Sequence, residues 1–191
     1  MTETYTFEDP RVSSLDGFRV TLDTATERAD IVLDRPPYNV ISMAARDQLR
    51  LVFETLDADA RIRVIVVSGA GDHFSSGGNI KGFLEASPEH VSHLADNVAA
   101  PARCSKPVIA ANRGYTFGVG FELSLACDFR IAAESCQYAL PEQKLGQIPG
   151  SGGSARLQKI VGVTNQGYRH AVQTDRWSAS GRLGHSDGMR G

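Results

Sequence analysis

The chain has 191 residues, 41% hydrophobic and 22% charged, with a formal net charge of −2. That length supports one domain with a sizeable core, and without a basic block nothing points to a nucleic-acid partner. The longest apolar runs, Val64–Val67 and Val108–Ala111, are far too short to cross a membrane, and Met1 to Pro10 is too polar for a secretory signal. Three cysteines without a CxxC spacing (Cys104, Cys127 and Cys136) favour reduced thiols and a cytoplasmic setting.

In chain order, residues 1–16 are polar and read as a loose arm. Phe18–Asp23 alternates like a half-buried strand, and Ala29–Asp34 follows at hairpin distance as a second. Pro36 and Pro37 end that ladder, because proline has no N–H to donate. Ser42 is a fair N-cap for a helix from Met43 to Leu56, where Leu49, Val52, Phe53 and Leu56 recur at helical spacing. Val64–Val67 is continuously apolar, as in a strand covered on both faces. A loop through Ser68–Asp72 and Phe74–Asn79 follows, with Asn79 placed to cap a short helix at Ile80–Leu84. Pro88–Arg103 reads as one further helix and Lys106–Asn112 as a buried strand. After a glycine-rich bend come helix Phe121–Ala126, strand Asp128–Ala132, the extended piece Gln137–Leu140 and helix Ser154–Val161. This alternation predicts an α/β core with ligands at the strand ends.

The bend, Gly114 to Asp128, leads from a buried strand into an apolar helix with one carboxylate, Glu122, in its first turn. Glycines allow close backbone approach, and the free N–H groups of a helix start carry partial positive charge. Alone, the stretch reads first as a strand-to-helix turn with a surface glutamate. A second carboxylate, Glu142, precedes the glycine-rich stretch Gly146–Gly153. Two carboxylates facing one pocket divide acid and base roles, because burial and repulsion split their pKa values; adding water to a polarised double bond needs such a division. Two glycine turns, at Ser76–Asn79 and Gly118–Gly120, could aim two N–H groups at one carbonyl oxygen, or could be tight structural turns. Other motifs are poorer. His90 and His93 stand at i, i+3 without a ligand cluster, Leu123 occupies the third glycine position of a dinucleotide fingerprint, and Gly150–Gly153 lacks the phosphate-loop lysine. Ser151 and Ser154 do not fit Gly-x-Ser-x-Gly, and Cys127 reads as buried core.

Together these residues resemble the enoyl-CoA hydratase/isomerase (crotonase) superfamily over Phe18 to Val163. The carriers are Leu33-Asp-Arg-Pro-Pro37, Phe74-Ser-Ser-Gly-Gly-Asn-Ile-Lys81, Lys106–Asn112, Gly118-Val-Gly-Phe-Glu122 with Cys127-Asp128, and Pro141-Glu142 with Leu145–Gly153. The resemblance implies a spiral of ββα units, assembled in full-length relatives as homotrimers or hexamers. It implies an acyl-CoA thioester substrate whose carbonyl sits between the N–H groups of Gly78 and Val119, with Gly78, Asn79, Ile80 and Lys81 along the pantetheine channel. Glu122 and Glu142 match the two hydratase carboxylates, which implies syn addition of water across a 2-enoyl-CoA. No metal or redox cofactor is implied, since coenzyme A belongs to the substrate. The alternatives are an enoyl-CoA isomerase on the same scaffold and an inactive remnant that binds CoA. Asn79 stands where an acidic residue is usual, and Val119 where glycine is commoner; positive φ at Val119 would be strained. Phe83, Phe117 and Val119 are candidate acyl-pocket walls.

Asn165 to Gly191 shows no amphipathic period and is rich in Gly, Ser, Arg and His. Degenerate codons for Asn165 to Arg176, read one base forward, accommodate Thr-Lys-x-Ile-x-Met-x-Ser-Arg-Arg-Ile-x-Gly, which resembles what the family carries there. The expected organisation is therefore an arm over 1–16, a core domain over 17–163 and an aberrant, disordered tail over 164–191. A frameshift near Thr164 is expected to cost this chain its oligomerising helices.

Overall fold

A computed structural model of the chain describes residues 1–162, so the expected tail and frameshift lie outside the described residues. The fold is mixed α/β. One six-stranded sheet runs in the order β1-β2-β3-β4-β5-β7, and a separate two-stranded sheet pairs β6 with β8.

The sheet grows from the hairpin of β2 (Phe18–Asp23) and β3 (Arg28–Leu33), in register from Phe18 opposite Leu33 to Asp23 opposite Arg28. Alternation does what period two requires: Phe18, Val20 and Leu22 on β2 and Ala29, Ile31 and Leu33 on β3 are buried. Residues 1–16 do not form a loose arm. Thr2–Thr4 pair antiparallel with β2 as strand β1, and Val12, in a short 3-10 turn at Pro10–Val12, is 1% exposed. Tyr5, Phe7 and Leu15 pack against the same core, and the surrounding polar residues and Pro10 mask these anchors in the sequence.

The crossover to the parallel strands is α1 (Met43–Ala58). Ser42 caps it, its Oγ accepting from the Ala45 N–H at 3.0 Å. Leu49, Val52, Phe53 and Leu56 enter one core with Ile65 and Val67 of β4 (Val64–Gly69), which pairs parallel with β3. Strand β4 is fully covered on one face only; Val64, Val66 and Ser68 on the other remain half-buried among the described residues. Strands β5 (Val108–Asn112) and β7 (Phe129–Ala132) extend the parallel part. Asp128 locks their ends, its carboxylate accepting from Val108 N–H at 2.9 Å and its own N–H donating to Val108 C=O at 2.9 Å.

The helix expected over Pro88–Arg103 is broken into α3 (Pro88–Ser92), α4 (Leu94–Val98) and a 3-10 turn at Ala100–Arg103, after α2 (Ile80–Glu85). Two causes are visible. Pro101 removes a backbone donor, and Asp47 on α1 takes both His90 Nε2 (2.7 Å) and Asn97 Nδ2 (2.6 Å), tying two pieces to one anchor. That bond occupies the first of the two histidines considered as a chelating pair. Among the described residues no group of three or more His, Cys, Asp or Glu is placed to hold a metal, and no helix is long and apolar enough to cross a membrane.

Strand β6 (Tyr115–Phe117) leads into α5 (Val119–Ala126), and β8 (Gln137–Ala139) leads into a 3-10 turn at Pro141–Leu145; α6 (Gly153–Val161) closes the described chain. Helix α5 is buried along its whole length, as its apolar composition requires.

Candidate active site

Two glycine turns meet where the larger sheet, the β6/β8 pair and α5 converge. The first is laced to β6: Ser75 N–H donates to Tyr115 C=O, and Phe117 N–H to Ser75 C=O, each at 2.9 Å. On its other side, Ile41 N–H donates to Gly77 C=O (2.9 Å) and Asn79 N–H to Ile41 C=O (3.1 Å). In such a bridge the residue between the two bonded neighbours turns its own N–H the opposite way. Gly78 N–H therefore faces away from Ile41, with no acceptor among the described residues.

The second turn pivots on Gly118, at φ +51° and ψ −129°, a conformation that side chains resist. Its N–H is held by Ala139 C=O at 2.9 Å. The positive φ thus falls on the glycine and Val119 escapes the strain considered for it. As the first residue of α5, Val119 keeps an N–H with no intrahelical acceptor. The turns abut: a Cβ on Gly78 would lie 3.5 Å from Val119 Cγ1, an ordinary contact, while one on Gly120 would lie only 2.6 Å from Ser75 Cβ, so the close approach at residue 120 requires glycine.

Both carboxylates reach the same cleft, of about 460 Å3, together with Gly78 and Val119. Glu122 is 2% exposed, and its Oε1 accepts from the N–H groups of Ser151 (2.7 Å) and Gly153 (2.9 Å). The stretch Gly150–Gly153, read as a poor phosphate loop, is thus a cradle for this carboxylate. Gly153 must be glycine, since a Cβ there would lie 2.9 Å from Glu122 Cγ and Oε1. Glu142 enters from the Pro141–Leu145 turn, and its Oε2 is buried without a partner among the described residues. Burial pushes its carboxyl up to about 7, against the opposing pull of its own backbone N–H and with help from the Glu122 charge.

Ile80, Phe83, Val91, Leu94, Leu145 and Ile148 supply the apolar lining of the cleft. Of the expected channel residues, Gly78, Ile80 and Val119 line the cleft. Asn79 and Lys81 are not in its lining: Asn79 Oδ1 accepts from Lys81 N–H (3.2 Å) as the cap of α2, and the Lys81 side chain is exposed. Phe117 also stays outside, stacked on Tyr115 at 4.8 Å.

Arg46 is a cleft residue that motif reading missed. It is 2% exposed on α1, its carbon Cζ lies 4.8 Å above the Phe83 ring, and its Nε has no partner among the described residues. Burial lowers its guanidinium to about 10, opposed by the charges of Glu122 and Asp47, so it stays charged at neutral pH. The signal was in the helix period. Arg46 precedes Leu49, Phe53 and Leu56 at steps of three, four and three, which sets it on the buried face. The cysteines are not site groups: Cys127 and Cys136 are buried, and burial pushes the Cys127 thiol up to about 12.

Residues 25–178 match the family model described as Enoyl-CoA hydratase/isomerase. A carnitinyl-CoA dehydratase of Shigella flexneri is 40% identical over 139 residues, covering 71% of this chain and 53% of that protein. The chain thus spans about half the length of the curated relatives it matches. Among solved structures, an enoyl-CoA hydratase from Bacillus anthracis superposes with a TM-score of 0.71 at 35% identity, covering 81% of this chain and 62% of that one. An enoyl-CoA hydratase from Thermobifida fusca YX in complex with acetoacetyl-CoA, described as putative, gives 0.72 at 27% identity, covering 81% and 65%.

Proposed function

The chain belongs to the enoyl-CoA hydratase/isomerase family and has its mixed α/β fold, and on that premise we propose that it adds water across the 2,3 double bond of an enoyl-CoA thioester. The observation that carries this reading is the convergence of Glu122 and Glu142 on one cleft beside two outward N–H groups. The thioester oxygen lies between Gly78 and Val119, whose donors strengthen as negative charge develops on it. Main-chain donors, one in the bridge between Ile41 and Gly78 and one at the start of α5, need little reorganisation when that charge appears. Polarisation through the conjugated system makes C3 electrophilic.

The glutamates take separate roles. Glu122, fixed by two N–H groups at Oε1, holds the water and accepts its proton as oxygen bonds to C3. Glu142, with a pKa near 7, carries a proton in a large fraction of molecules at neutral pH and delivers it to C2. Both act from one face of the substrate, which gives syn addition. The proton left on Glu122 then passes through solvent to restore Glu142.

Turnover of crotonyl-CoA, followed by loss of the enoyl-thioester absorbance in water enriched in oxygen-18, tests the proposal. Hydration places one labelled oxygen on C3. Double-bond migration without label means isomerase chemistry instead. A Glu122→Gln, Glu142→Gln double variant that keeps full rate refutes both assignments.

A further inference from the structure

We infer that Arg46 is the recognition group for an anionic acyl chain: the substrates of this cleft carry a carboxylate close to the thioester. The inference rests on the acyl-thioester reading above and adds a substrate class to it.

Ile80, Phe83, Val91, Leu94 and Ile148 line the cleft, and beyond the two glutamates Arg46 is the one charged side chain in the lining among the described residues, beside the neutral Ser76, Gln147 and Ser151. A neutral acyl chain needs only the uncharged part of that lining. Arg46 occupies a place on α1 where its neighbours on the same face, Leu49 and Phe53, are core. Burying a guanidinium without a directly hydrogen-bonded carboxylate is unfavourable, and a bonded partner relieves that cost. None of the ion pairs among the described residues includes Arg46. Its Nε is buried and unpartnered. The charges of Glu122 and Asp47 act on Arg46, yet neither carboxylate forms an ion pair with it: Asp47 is bonded to His90 and Asn97, and the Oε1 of Glu122 is held by two backbone donors.

Geometry defines what can pair with it. Arg46 Cζ lies over the Phe83 ring, 4.8 Å from its centroid, so one side of the guanidinium is met by an aromatic ring and no carboxylate is bonded to it among the described residues. The guanidinium fork is a bidentate donor suited to a carboxylate. Position then sets chain length. A Cβ on Gly78 would lie 2.2 Å from Arg46 Nη2, so the fork sits directly beside one of the two N–H groups assigned to the thioester oxygen. A carboxylate that reaches it belongs on a short acyl chain or on a branch near the reacting carbons. By the same charge, a cationic acyl group is repelled.

Calorimetric titration of the full 191-residue chain with glutaryl-CoA and butyryl-CoA tests this without turnover, since neither thioester can be hydrated. The two differ by a terminal carboxylate. Glutaryl-CoA is expected to bind about tenfold or more tightly, the scale of a charge-assisted hydrogen bond. Arg46→Met is expected to erase or invert the preference, and Arg46→Lys to restore part of it. Equal affinities in the wild-type chain overturn the inference without need of any variant, as does a preference that survives Arg46→Met. Turnover of crotonyl-CoA with no glutaryl preference removes this inference and leaves the hydratase reading standing. Binding of neither thioester overturns both.

Discussion

Replacing Glu142 with glutamine separates two consequences of its buried carboxyl. A native pKa of about 7 against an ordinary 4.5 means the folded chain binds this proton more tightly than the unfolded chain. Stability from such a group is fully present below about pH 4.5 and is lost as pH rises through about 7. Every tenfold gain in proton affinity on folding is worth about 1.4 kcal/mol. The full difference therefore bounds the loss near 3 kcal/mol, and solvent screening at this half-buried site reduces it to about 1–2 kcal/mol. Glutamine keeps the shape and cannot ionise. Glu142→Gln should thus melt higher than the wild type at pH 8.5, by about 2–4 °C per kcal/mol at this chain length, and near the wild type at pH 4.5. The same variant should hydrate crotonyl-CoA about a hundredfold or more slowly, the scale of a lost general acid. Thermal melts by circular dichroism at both pH values, beside the absorbance assay, make the comparison. A variant that melts lower than wild type by the same amount at both pH values would show that burial does not load this carboxyl.

Wild-type kcat/KM for crotonyl-CoA should fall as pH rises from about 7 to 9, because the protonated fraction of Glu142 drops about tenfold for each further step of one in pH above its pKa; a profile flat over that range contradicts its role as acid. Gly153→Ala should leave the circular dichroism spectrum intact, since alanine suits a helix start, yet slow hydration about a hundredfold by pushing Glu122 off its cradle. Gly118→Ala combines positive φ with a Cβ 3.1 Å from Glu142 Oε1, and should lower unfolding free energy in urea by about 1–3 kcal/mol. Ser42→Ala removes the cap of α1 and should cost about 1 kcal/mol in the same titration, with little change in turnover.

How much of this could be read without coordinates depended on the range of the interaction. Strand β2 and the Ser42 cap were legible because alternation and capping are local. So were the two glycine turns, since a buried strand followed by glycines leaves few conformations open. Long-range tethers were not. Nothing near Pro88 announces that Asp47 holds His90 and Asn97, and the three short pieces there were read as one helix. The N-terminal segment shows the same limit, as Val12, with Tyr5, Phe7 and Leu15 packed beside it, fixes a stretch whose composition is that of a loop. In the cleft, Glu122 and Glu142 could be named as candidates from sequence, but not the Ser151 and Gly153 donors that hold the first or the burial that raises the pKa of the second. Arg46 was visible to a helical wheel and invisible to motif matching, because no motif contains it.

The two donors proposed for the thioester oxygen belong to the main chain, and this affects how such a protein tolerates change. Nineteen of the twenty amino acids carry a backbone N–H, so a point substitution at residue 78 or 119 removes the donor outright only when it introduces proline. Steric demands at Gly78 and Gly118 keep the turns in shape, while Ile80, Phe83, Ile148 and Arg46 stand on the walls as ordinary side chains. Random mutagenesis should therefore alter which acyl groups are accepted far more readily than it abolishes polarisation of the carbonyl. A library confined to those four wall positions is the economical route to new substrates on this scaffold.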